Sequence, residues 1–161
     1  SVRRRATALD AVLAAVLVAA VVALAATLLH RGGAARVVAD PARTPGVLNP
    51  DVTQATIRST ICRRGWTSTV RPPVSYTNDL KRRQMREYGE TGPLSGYQED
   101  HLISLELGGN PTDPRNLWPE PYPRAREVDT IENQLNAEVC DGSLTLAQAQ
   151  QREADLKHRD G

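Results

Sequence analysis

Asp100 and His101 stand side by side, Asn116 follows in a loop ahead of apolar Leu117 and Trp118, and Asp129, Glu132 and Asn136 fall in a helical stretch beyond. Neighbours on a strand point to opposite faces, so the acid and the imidazole reach one site only where the strand begins or bends. The helical residues can be placed by angle. At about 100° per residue from Val128, Ile131, Leu135 and Val139 form an apolar stripe, with Glu132 beside it at about 40°. Asn136 and Asp129 flank the stripe at about 80° and 100°. A carboxylate partly buried there is costly unless something positive meets it. A metal ion would do so; a bend towards water or a pairing with Arg is the plainer alternative.

These residues need elements to position them. Asn49-Pro50 starts a predicted helix through Val52, Ala55 and Ile57 towards Cys62, stopped by Gly65. Trp66 to Arg71 reads as a short strand ended by Pro72-Pro73, and Thr77 caps a second helix carrying Leu80, Lys81, Met85 and Tyr88. Glu99 to Leu107 reads as a strand or hairpin arm closed by Gly108-Gly109, and Asn110 to Pro114 as a turn. A long helix runs from about Pro123 to Cys140 and ends at Asp141-Gly142. Thr145 and Gln148 make a capping box for a last helix over 146–158.

The order Glu99-Asp100-His101-Leu102-Ile103, then Gly108-Gly109, then Asn116-Leu117-Trp118-Pro119, then the long helix, resembles the HNH endonuclease family. Asp-His-Leu-Ile-Ser-Leu-Glu-Leu-Gly-Gly followed by Asn-Leu-Trp-Pro-Glu looks like a bacterial HNH-like subgroup, over about residues 99 to 136. Val70-Arg71-Pro72-Pro73 and Tyr76-Thr77 are similar to that subgroup too, with no chemistry attached. The resemblance implies an α+β fold: a small ββα-metal core with additional helices. His101 would be the general base that takes a proton from the attacking water, and Asp100 would bind one divalent cation. Asn116 would hold the hairpin loop. The family's last position is a His or Asn on the helix, and here the pattern departs. In one family spacing the two helix positions are Ala125 and Asp129, and Ala125 cannot bind metal. Asp129 is therefore the first candidate for the second ligand and Glu132 the next. Two carboxylates with waters suit Mg²⁺ or Mn²⁺ better than Zn²⁺. Arg115, Arg124 and Arg126 are candidates for phosphate contacts, as are Arg82, Arg83 and Arg86 on the second helix.

Composition limits the rest. Six aromatics (two Trp, four Tyr) and no Phe exclude a large aromatic core. Two cysteines cannot make a four-thiolate zinc site, but a Cys62–Cys140 bridge would close a long loop and add about 4 kcal/mol on the chain-entropy estimate. Residues 58–86 hold Arg58, Arg63, Arg64, Arg71, Lys81, Arg82, Arg83 and Arg86 against Asp79 alone, whereas 87–161 are predominantly acidic. A protein that coats nucleic acid by charge alone would not look like this; one with a basic face beside an acidic, metal-attracting pocket would, and a solvated helix face is the alternative for the basic stretch.

Ala11 to Leu29 is an uncharged run of Ala, Val and Leu with one Thr, preceded by Arg3, Arg4 and Arg5. As a helix it spans about 28 Å, close to a bilayer's hydrocarbon thickness. We read residues 1–31 as a cytoplasmic tip and single transmembrane anchor, 32–48 as a linker and 49–161 as the HNH-like domain. The alternative to an anchor is a cleaved signal peptide and a secreted domain. Three arginines on each side leave orientation tied, and a disulfide would place the domain outside the cytoplasm. The expected partners are DNA rather than RNA and a bilayer through residues 11–29, with no protein partner. Three functions compete: a membrane-anchored metal-dependent DNA endonuclease, an inactive HNH-like nucleic-acid-binding or structural module, and a hydrolase of another phosphodiester at the cell surface.

Overall fold

The computed structural model describes residues 16–18, 20, 21 and 37–161. The chain divides into two compact units, residues 1–36 and 37–161. In the first, 16–18, 20 and 21 are helical, and Val16, Leu17, Val18 and Val21 are exposed. Most of the span expected over 11–29 lies outside the described residues. Among the described residues no helix is long and apolar enough to cross a membrane.

The second unit is α+β. Its elements are α1 (Trp66–Val70), α2 (Val74–Glu87), β1 (Tyr97–His101), β2 (Leu117–Pro121), α3 (Arg124–Asp141) and α4 (Leu146–Asp160). The strands pair antiparallel, with Asp100 opposite Trp118 and His101 opposite Leu117. The chain thus runs hairpin then helix, with α2 reaching both ends of the hairpin. Lys81 Nζ donates to the Tyr97 carbonyl at 2.8 Å and Gln84 Nε2 to the Pro114 carbonyl at 2.8 Å.

Three local expectations are corrected. No regular helix follows Asn49; residues 51–62 form successive turns whose backbone bonds mix three-, four- and five-residue spans. Hydroxyls compete with the helical ladder there: Thr56 Oγ1 donates to the Asp51 carbonyl, and Ser59 and Thr60 both donate to the Thr56 carbonyl. Trp66 to Val70 is helical, because one turn after the left-handed Gly65 buries Trp66, and this overrides the β-branched neighbours. The second helix starts at Val74 on Pro73, while Thr77 lies inside it and donates back to the Val74 carbonyl.

β1 is also shorter than the arm expected to Leu107. It ends at His101, and Leu105–Leu107 is a 3-10 turn. The glycine pair has distinct tasks. Gly108 takes φ +77° over Val52, whereas a Cβ on Gly109 would sit 1.7 Å from the Ile103 carbonyl oxygen. Gly109 lets two stretches of backbone cross at the base of the loop.

Residues 37–48, expected as linker, pack into this unit. Ala39 and Thr44 are fully buried, Ala39 N donates to the Lys157 carbonyl, and Leu48 bridges to Gly109. The main core joins Ile57, Ile61, Trp66 and Leu107 to Leu135 and Val139 of α3 and Leu146 of α4. The Cys62–Cys140 disulfide ties the turn region to the end of α3. The capping box of Thr145 and Gln148 opens α4 as expected. On α3 the buried residues are Ala125, Val128, Glu132, Leu135 and Val139, with Ile131 only half-buried. The inward face is therefore rotated from the apolar stripe towards Glu132.

Candidate active site

β1 stops at His101, and that break lets adjacent residues share one site. Asp100 and His101 both line two adjoining cavities of about 220 and 240 Å³. The backbone just beyond is held by Asn116, fully buried on the 3-10 turn just before β2. Asn116 Oδ1 accepts from Ile103 N at 3.0 Å, and its Nδ2 donates to the carbonyls of Ile103 and Asn110, each at 3.0 Å. One amide side chain thereby closes the loop on both sides.

His101 is 6% exposed. Its Nε2 lies 3.0 Å from the Pro111 carbonyl. A carbonyl can only accept, so Nε2 carries the proton and the Nδ1 lone pair is left unprotonated. Burial pushes the imidazole below its ordinary 6.5, and the Pro111 contact and the Asp100 charge only partly oppose this. The ring is accordingly neutral at physiological pH.

Beneath the dyad lies a cation, and it is a residue. Lys157 of α4 is fully buried; its Nζ lies 2.7 Å from Asp100 Oδ2, 2.6 Å from Glu132 Oε1 and 3.4 Å from Glu153 Oε1. It also donates to the His101 carbonyl. Burial would lower this ammonium, but Asp100, Glu132, Glu153 and Glu120 together carry it well above 10.5. Burial likewise would raise Asp100, yet the Lys157 charge and hydrogen bond hold it below the usual carboxylate range. Glu132 goes the other way, lifted well above 4.5 by burial despite Lys157. Lys157 and Asp100 therefore form the ionised pair, and Glu132 is drawn towards the neutral acid.

Glu120 of β2 completes the cluster. It is fully buried, and neither oxygen receives a hydrogen bond. Burial, followed by the Asp100 charge, pushes it from 4.5 up to about 9, so Glu120 is a neutral acid of the cluster. A folded-state pKa above the unfolded one favours the fold below about pH 4.5, and that contribution is lost as pH rises through about 9. Denaturant midpoints should therefore fall between pH 5 and about 9, and Glu120→Gln should flatten that decline. An unchanged slope in the variant would show that Glu120 is not the group responsible.

The predicted metal ligands separate in this geometry. Between Asp100 and Glu132 a divalent ion does not fit, because Lys157 supplies the positive charge and takes Glu132 Oε1. Glu132 is thus corrected from candidate ligand to partner of Lys157. On the cavity side remain Asp100 Oδ1, which accepts from Gln98 Nε2 at 3.2 Å, and Asp129. Burial and then the Asp100 charge raise the Asp129 carboxyl, with the Lys157 charge and Gln98 opposing. Two hard oxygen donors could hold Mg²⁺ or Mn²⁺ only with water filling the rest of the shell. Among the described residues no three His, Cys, Asp or Glu gather around a point that could hold an ion.

The arginines expected at phosphates lie elsewhere. Arg115 is clamped by Asp113, Arg124 by the Gly161 carbonyl and Glu127, and Arg126 lies 5.4 Å over the Tyr122 ring. Arg82 pairs with Asp79, Arg86 donates to the Arg82 carbonyl, and Arg83 is exposed on α2. None of the six lines either cavity; Arg71 lines both. Asn136 also has a structural task, donating to the Glu106 carbonyl at 2.8 Å.

Comparison with protein-family models, curated proteins and solved structures finds no match to this chain. Sequence reasoning missed Lys157, Glu153, Glu120 and Arg71. The one local signal was on α4, where Leu146, Ala149, Gln150, Glu153 and Lys157 are all buried at helical spacing. Polar residues on such a face need partners.

Proposed function

We propose that the chain is a metal-dependent endonuclease hydrolysing DNA phosphodiester bonds. The observation that carries the proposal is a neutral, loop-fixed His101 sharing a cavity with Asp100 and Asp129. Nδ1 of His101 accepts the proton of the attacking water, while the Nε2–Pro111 contact holds the tautomer and Asn116 holds the backbone behind it. Asp100 and Asp129 would hold the cation, which when bound supplies positive charge to the phosphoryl and leaving oxygens. The Cys62–Cys140 disulfide supports an oxidising, extracytoplasmic setting. The apolar run over 11–29 supports anchoring in a bilayer, with the domain outside the cytoplasm.

The test is to incubate the full chain with supercoiled plasmid DNA and Mg²⁺ or Mn²⁺, with and without chelator. Nicking is expected with the cation and not without it. Asp129→Asn should slow it by about 10- to 100-fold, the range for residues that support a metal site, and Glu132→Gln should change it much less. The reverse ranking would overturn the ligand assignment. Lys157, by filling the space between Asp100 and Glu132, favours a second reading: an inactive nucleic-acid-binding module. DNA retained in a gel shift but never cut with any cation would establish it and end the first.

A further inference from the structure

The two cavities meet at one edge, shared by Asp100, His101, Gln98 and a single arginine. Arg71 is well placed for a ligand. Its backbone N donates to the Thr67 carbonyl at the end of α1, and Pro72-Pro73 fix the chain on its other side. The side chain is 58% exposed, and its ion pair with Glu106 Oε1 is a loose one at 3.8 Å. Glu106 lines the first cavity with it, on the 3-10 turn after the Asp-His pair. Of the other basic side chains near the hairpin, Lys81 donates to the Tyr97 carbonyl and Arg83 acts on the charge of Glu99, but neither lines the two cavities.

We infer that Arg71 docks the substrate's phosphate at the junction of the two cavities, and that Glu106 competes with that phosphate for the guanidinium. The inference rests on the phosphodiester reading and gives it a substrate contact. A guanidinium forks naturally onto phosphate oxygens. Glu106 is a weak competitor at 3.8 Å, so an incoming phosphate displaces it at small cost. Substrate binding then frees a carboxylate at the cavity mouth, and the cavities to either side receive the flanking nucleotides of one strand.

The two residues have opposite signatures, which no purely structural role would give. Binding of a labelled single-stranded oligonucleotide to the full chain, measured in chelator so that nothing is cut, should weaken about tenfold in Arg71→Gln. The slope of log affinity against log salt should fall by about 0.7, one phosphate contact on a single strand. Glu106→Gln should instead tighten binding by about 2- to 5-fold, the range of an exposed ion pair removed from competition. The Arg71 variant should unfold at the wild-type midpoint. Unchanged affinity and slope in Arg71→Gln, no tightening in Glu106→Gln, or no oligonucleotide binding at all would overturn the inference. Expected binding without plasmid cleavage would instead leave Arg71 standing and remove the catalytic reading.

Discussion

His101→Ala is expected to lower plasmid cleavage by roughly 10²- to 10⁴-fold, the usual contribution of a positioned general base. Nδ1 is the ring's one lone pair not engaged by Pro111, so the variant loses the proton acceptor and not the cation site. The pH profile supplies a second signature. Because burial holds the imidazole below 6.5, the rate should already be at its plateau at neutrality and fall only on the acid side of 6.5. An acid limb centred at or above 6.5, or a variant keeping more than a tenth of the rate, would remove His101 from the role of base.

The largest structural loss should come from Lys157→Met. Removing one partner of a buried ion pair typically costs about 3–5 kcal/mol, because the remaining charge stays buried and uncompensated. Here Asp100 is that charge, and Glu132 and Glu153 lose the same donor. Thermal unfolding should move down by roughly 10–20 °C. Combining Lys157→Met with Asp100→Asn should recover part of the loss, since the orphaned charge disappears with its partner. Lys157→Met melting with the wild type would mean that the acids are all neutral without it, and the ion pair would not be what holds the hairpin to α3 and α4.

How far these features could be read beforehand depended on the range of the interactions that set them. α3 and α4 are marked locally, by an apolar period, a glycine stop and a capping box, and both form within two residues of expectation. The Asp-His pair, the Gly pair and Asn116 are also short-range signals, because one hairpin contains them all. Residues 51–62 were misread because hydroxyl-to-backbone bonds, not apolar spacing, decide their shape. Trp66 to Val70 was misread because burying one indole outweighs strand preference. Lys157 was not legible because its meaning arises only where α4 meets residues from β1 and α3. The helix angles did place Glu132 beside the buried stripe, where the structure gives it Lys157 as a donor and burial draws it towards the neutral acid.

The Lys157 ammonium has a consequence for how the molecule weathers its surroundings. A counter-charge built into the chain cannot be stripped away by a chelator or lost by dilution. The scaffold under the cleft should stay assembled in ion-poor fluid, whatever the cavity above it binds.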